Sequence, residues 1–302
     1  MITIPQYLKP GDTIGILCPA GYMPYEKAAT AIETLKVWGY KVFIGKTLGN
    51  QYNYFSGTDE ERLSDLQYMM DDDTIKAIFC ARGGYGIGRI IDKLKFKKFK
   101  KHPKWIIGFS DISILQCHLF ANYKIASLHA PMAAAFNDGE NNNVYIRSLQ
   151  DALIGKKAIY ICPGNEYNQK GKARGILAGG NLSLLAHICG TSSEINTKKK
   201  ILFIEDIGEY IYNVDRMLYQ LKRCGKLDDL AGLIVGRFTD MKDTTFPFGQ
   251  TTEEVIKNVV KNYEYPVCFG FPTSHEKENY ALKIGMKYEL TVSVSSVQLE
   301  EF

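Results

Sequence analysis

Short apolar runs, each ended by a Gly- or Pro-bearing turn and followed by helical spacing, recur through the first half of the chain. Such runs occupy residues 13–18, 41–44, 75–80, 104–109 and 126–129. Between the first two, Ala28, Ala31, Ile32 and Leu35 recur at helical intervals, and Gly39 closes the helix. Thr58 with Glu61 has the spacing of a capping box, which opens a helix running to about residue 71. Strands that alternate with helices predict an α/β fold, with an N-terminal parallel sheet flanked by helices. In such sheets ligands collect at the carboxyl ends of the strands. Three turns occupy that position: Pro19-Ala20-Gly21, Ala81-Arg82-Gly83-Gly84-Tyr85-Gly86, and Gly108-Phe109-Ser110-Asp111.

At 302 residues the chain has length for two domains. Residues 156–172 turn polar, with Pro163, Gly164, Asn165 and Asn168, and read as a linker. The expected organisation is therefore an N-terminal domain over residues 1–155 and a second, smaller mixed α/β domain over residues 173–302. In the latter, residues 200–204, 230–236, 267–271, 282–284 and 288–294 read as strands. Residues 212–224 and 252–263 read as helices.

Composition narrows the function. The net charge is +4, carried mostly by lysines such as those of residues 93–104, without a basic stripe interleaved with stacking aromatics. Nucleic acid is not an expected partner, and the lysine run reads as a solvated surface segment. The 7 cysteines are scattered with no CxxC pair, so a zinc site is not expected. Free thiols point to a reducing compartment. The N-terminus has no secretory signal pattern, and no apolar run approaches the ~20 residues that span a bilayer. A cytoplasmic protein with no membrane partner is expected.

Ser110 follows a strand, sits on a sharp turn and precedes a helix over residues 112–123. A hydrolase nucleophile is presented in this way, with backbone N–H groups near enough to stabilise an oxyanion. The same pattern fits a Ser110 or Asp111 helix cap. The glycines of residues 83–88 let a backbone approach something closely and aim N–H groups at it. They fit an oxyanion loop beside Ser110 or a phosphate cradle. The dinucleotide fingerprint is incomplete, because Arg89 stands where a small residue belongs and no acidic residue follows a strand at the expected distance. Glu205 ends an apolar strand, with Asp206 and Glu209 as rivals. Of the 5 histidines, His275 follows a strand in a polar loop, and His129, which ends a strand, is the rival base. The chain order Ser, Glu, His is that of a hydrolase triad.

Five motifs in order, Arg82-Gly-Gly-Tyr-Gly86, Gly108-Phe-Ser-Asp111, Gly179-Gly-Asn-Leu-Ser183, Leu202-Phe-Ile-Glu-Asp-Ile-Gly-Glu209 and Phe271-Pro-Thr-Ser-His275, resemble the LD-carboxypeptidase family. The family includes murein tetrapeptide carboxypeptidases and microcin C immunity peptidases. The resemblance spans residues 13–290. It implies a serine peptidase with a Ser–Glu–His triad, no metal and no cofactor, a small murein peptide as substrate, and a homodimer. Carried onto this chain, Ser110 would be the nucleophile, His275 the base and Glu205 its support, and the N–H groups of Gly84 and Asp111 would form the oxyanion hole. A cation is needed for the substrate's terminal carboxylate, and Arg82 is the candidate. Two positions depart from the family: Ser274 replaces the usual glycine before the histidine, and Ala130-Pro131 stands where Gly-Pro is common. The expected activity is cleavage before a terminal D-alanine, in peptidoglycan recycling. The alternatives are hydrolysis of an aminoacyl-nucleotide analogue, a nucleotide-binding module without catalysis, and an inactive relative.

Overall fold

The computed structural model describes residues 1–137 and 143–302. The chain divides into two compact units, one of Met1–Lys156 with Tyr280–Lys283, the other of Lys157–Asn279 with Ile284–Phe302.

The first unit carries the expected parallel sheet. Its strands β1 (Thr13–Leu17), β2 (Lys41–Ile44), β3 (Ile75–Cys80), β4 (Trp105–Gly108) and β5 (Ser127–His129) pair in parallel in the order β5-β4-β3-β1-β2. The central strands are apolar along their length because helices cover both faces, and β4 is buried at every residue. Edge strand β2 is mostly exposed. The capping box forms as expected: Glu61 N–H donates to Thr58 Oγ1 (3.2 Å) and Thr58 N–H to Glu61 Oε2 (2.8 Å), at the start of helix Asp59–Asp71.

The second unit carries a mixed sheet. It is built from β6 (Ile159–Pro163), β7 (Gly171–Asn181), β8 (Lys200–Ile207), β9 (Gly232–Thr239) and β10 (Val267–Cys268), and from two later strands given below. Strands β7 to β10 are parallel neighbours. After β11 (Leu282–Ile284), strands β12 (Lys287–Val292) and β13 (Ser296–Glu301) continue the sheet antiparallel from β7 to β6. The two halves read differently in sequence for a physical reason. Parallel β8 is a continuous buried run, whereas β6, β12 and β13 alternate because only one face is covered.

Three expectations are corrected. Residues 156–172 are not a linker throughout: Tyr160 and Cys162 turn inward and β6 pairs along β13. The polar remainder is fixed, since Asn168 Oδ1 accepts the Phe269 N–H at 2.8 Å and Gln169 pairs with Val267. The second division of the chain is not continuous over residues 173–302. Residues 280–283 belong to the first unit, where β11 is the outermost strand beside β5. There Ala281 N–H donates to Ser148 Oγ (2.9 Å) and Lys283 Nζ to the Lys156 carbonyl (2.7 Å). Finally, the lysine run is not wholly solvated. Leu94, Phe96 and Phe99 turn inward about the short helix Lys97–Lys101, and buried Lys104 donates to the Met69 carbonyl at 2.8 Å.

Candidate active site

Strand β4 ends at Gly108, and two residues later Ser110 adopts φ +62°. A non-glycine residue in this left-handed region costs about 1–2 kcal/mol, so surrounding packing must hold it there. The glycine loop after β3 supplies that packing. A Cβ on Gly83 would lie 3.0 Å from that of Ser110 and 3.1 Å from the Phe109 carbonyl oxygen. Only a glycine lets the two turns lie this close.

Asp111 locks the same contact chemically. Its carboxyl group is buried, and Oδ2 accepts the Ile87 N–H at 2.8 Å. Burial pushes its pKa up to about 6, against the opposing pull of the Ile87 N–H and the Arg62 charge. Asp111 therefore ties the serine turn to the glycine loop through its side chain, while its backbone N–H and that of Gly84 donate to no other group among the described residues. Arg82 is exposed on this loop and has no ion-pair partner among the described residues.

Sequence reasoning missed Arg62, the residue that gathers these turns. It is fully buried, and its guanidinium donates to the carbonyls of Pro19 (2.9 Å), Gly86 (3.1 Å) and Gly57 (3.4 Å) and to Asp59. One planar group thus fixes three loops at the carboxyl end of the sheet. Its place in the polar first turns of a capped helix carried no sign of this.

In the second unit, the His275 ring meets the Glu205 carboxylate, Nδ1 to Oε2, at 2.7 Å. An ionised carboxylate only accepts, so Nδ1 carries the proton and Nε2 the lone pair that a base needs. The Glu205 side chain is 0% exposed and that of His275 13%. Burial acts to lower the histidine pKa, but the Glu205 hydrogen bond and the charges of Glu205 and Asp206 outweigh it, so the net shift is upward.

A β-bulge brings these residues together. Ile204 pairs with Val235 and Asp206 with Phe238, so two residues of β9, Gly236 and Arg237, stand opposite Glu205 alone. The bulge joins β9 to the histidine loop: Arg237 N–H donates to the Thr273 carbonyl at 3.0 Å, and a Cβ on Gly236 would lie 2.4 Å from that oxygen and 3.1 Å from the Glu205 Cβ. The Arg237 side chain pairs with Glu276 (3.2 Å) and Glu278. Ser274, at the departure from the family pattern, is built into this loop. Its Oγ donates to the Glu278 carbonyl and accepts the Glu276 N–H, both at 3.0 Å.

The rivals have other work. Asp206 is buried beside Glu205, where it receives Asn181 Nδ2 (2.8 Å) and the Ser183 N–H (2.9 Å) and so holds the start of helix Leu182–His187. His129 is fully buried against the Phe109 ring. Cys80 is fully buried, and burial pushes its thiol far up, away from the reactive thiolate form. Among the described residues no group of three or more His, Cys, Asp or Glu side chains converges as metal ligands would.

A serine on a strained strand–helix turn, in a chain that also holds a carboxylate-bound imidazole, defines a serine-type peptidase of α/β architecture. More particularly, the chain belongs to the LD-carboxypeptidase family: residues 14–130 match its N-terminal domain and residues 174–290 its C-terminal domain. A probable murein peptide carboxypeptidase of Bacillus subtilis is 36% identical over 300 residues, covering 98% of this chain and 94% of the relative. The crystal structure of muramoyltetrapeptide carboxypeptidase from Oxalobacter formigenes superposes with a TM-score of 0.87 at 29% identity, covering 96% of this chain and 98% of that one. The microcin C7 self-immunity protein in complex with aspartyl sulfamoyl adenosine shares the fold, with a TM-score of 0.88 at 23% identity over 99% of both chains.

Proposed function

We propose that the protein is a murein tetrapeptide LD-carboxypeptidase that releases terminal D-alanine through an acyl-enzyme. The observation that carries this reading is the 2.7 Å bond between His275 Nδ1 and Glu205 Oε2, which prepares Nε2 as a base. In the reaction, Nε2 takes the proton of Ser110 as Oγ attacks the carbonyl carbon of the L,D-amide. The oxyanion is held by the Gly84 and Asp111 N–H groups, which face no competing acceptor among the described residues. Collapse expels the D-alanine amine, which takes its proton from His275. Water activated by the same nitrogen then cleaves the ester and restores Ser110. Arg82 pairs with the terminal carboxylate.

Free cysteines throughout the chain support a reducing compartment, and we place the enzyme in the cytoplasm, as a homodimer, in peptidoglycan recycling. The second reading, hydrolysis of an aminoacyl-nucleotide analogue, draws on Tyr54 and Tyr85, which are 53% and 50% exposed and so offer faces to a base.

The deciding experiment is D-alanine release from a murein tetrapeptide by the wild type and by Ser110→Ala. Release by the wild type alone is expected. Release that survives in Ser110→Ala overturns the mechanism. No release, with hydrolysis of aspartyl sulfamoyl adenosine instead, selects the second reading.

A further inference from the structure

Among the arginines around the glycine loop, two share one acid: Arg62 and Arg89 both pair with Asp59. Arg82 has no such partner among the described residues. Its Nε lies 3.4 Å from where a Cβ on Gly21 would stand, and the Tyr54 hydroxyl lies 2.9 Å from where a Cβ on Gly84 would stand. Gly21 and Gly84 lie close together, since a Cβ on Gly84 would fall 3.5 Å from the Gly21 Cα. The Arg82 guanidinium and the Tyr54 hydroxyl thus both border the close approach of Gly21 to Gly84, and Gly83, next along the loop, packs on Ser110.

Tyr54 is also held in place although it is half exposed. Its ring meets Phe55 edge to face at 5.5 Å, and Arg62 and Arg89 lie over the Phe55 ring at 4.8 and 5.3 Å. Its carbonyl accepts the Tyr22 N–H at 3.0 Å. An exposed aromatic that is fixed in this way is preorganised to bind.

We infer that Tyr54 is a specificity-determining residue, whose hydroxyl donates to the terminal carboxylate of the substrate beside the Arg82 guanidinium. The inference rests on the carboxypeptidase reading above, and it adds why a free carboxyl terminus is required. A carboxylate has two oxygens to be satisfied. Arg82 supplies charge, and Tyr54 supplies a neutral donor that an amide terminus exploits far less, since hydrogen bonds to charged groups are the stronger ones.

The test is binding of N-acetyl-L-lysyl-D-alanine and of its carboxamide to the Ser110→Ala protein, by calorimetry. The acid is expected to bind at least about tenfold more tightly than the carboxamide. Adding Tyr54→Phe is expected to cut that preference about tenfold while leaving carboxamide affinity nearly unchanged. Arg82→Gln, a second and independent variant, is expected to lose the preference too. Equal binding of acid and carboxamide, no detectable binding of the acid, or equal weakening of both ligands by Tyr54→Phe overturns the clamp. D-Alanine release by the wild type separates the two proposals. Release without the acid preference sinks the clamp alone, whereas a Tyr54-dependent preference without release sinks the reaction and leaves the clamp standing.

Discussion

Replacing Glu205 by Gln tests the acid–base pair most directly. The side chain keeps its volume, and its carbonyl oxygen can still accept from Nδ1, so the tautomer is preserved and only the charge is lost. That charge matters most when His275 holds the serine proton. The smaller influence of the Asp206 charge offsets the loss only in part, because Glu205 is wholly buried and bonds the ring directly. At a charge separation of ~4 Å and an effective dielectric of ~20, the interaction is about 4 kcal/mol. At 1.36 kcal/mol per decade this lowers kcat about a thousandfold. KM should change little, since the interaction strengthens only as the imidazolium forms. The pH profile supplies a second readout. The wild-type base is active when neutral, so kcat/KM should fall as pH drops through a histidine pKa above the ordinary 6.5. Without the carboxylate, burial is opposed chiefly by the smaller influence of Asp206, and the acid limb should move to lower pH. The assay is D-alanine release across pH 5–9, with circular dichroism to verify the fold. A loss smaller than about tenfold, or an acid limb that stays or moves upward, refutes the assigned role.

Other outcomes follow from the first unit. Ser110→Gly should abolish release yet unfold at higher urea, by about 1 kcal/mol, because glycine accepts φ +62° without strain; a destabilised variant would refute the stored strain. Arg62→Met should cost about 3–5 kcal/mol in urea unfolding, because it orphans the carbonyls of Pro19, Gly57 and Gly86 and leaves Asp59 short of a partner. Arg62→Lys should not restore that stability, since a point charge cannot reach three directions at once. A loss below about 1 kcal/mol for Arg62→Met would show that the loops hold one another without it.

What the sequence by itself determined were features whose cause is local. A strand buried on both faces must be apolar along its length, so β3, β4 and β8 were legible, and with β4 the turn that carries Ser110, whereas β8 runs on past Glu205, expected at its end, to Ile207. The Thr58–Glu61 box was legible because both partners lie within one turn. Tertiary structure decided whatever depends on pairing across distance. Edge strand β6 looked like linker because the residues flanking its five are polar and its partner, β13, comes at the far end of the chain. The three residues of β11 carry no period long enough to show that they join the first sheet. A strand buried on both faces is expected to be apolar, yet β8 carries the adjacent acids Glu205 and Asp206. Both are buried, the extra residue that β9 inserts stands opposite Glu205, and no pattern in β8 records it. Arg62 became a buried hub only when three separate loops arrived around it. A chain states its local preferences residue by residue, but the burial of a charge or the aim of a carboxylate is set by neighbours that folding alone supplies.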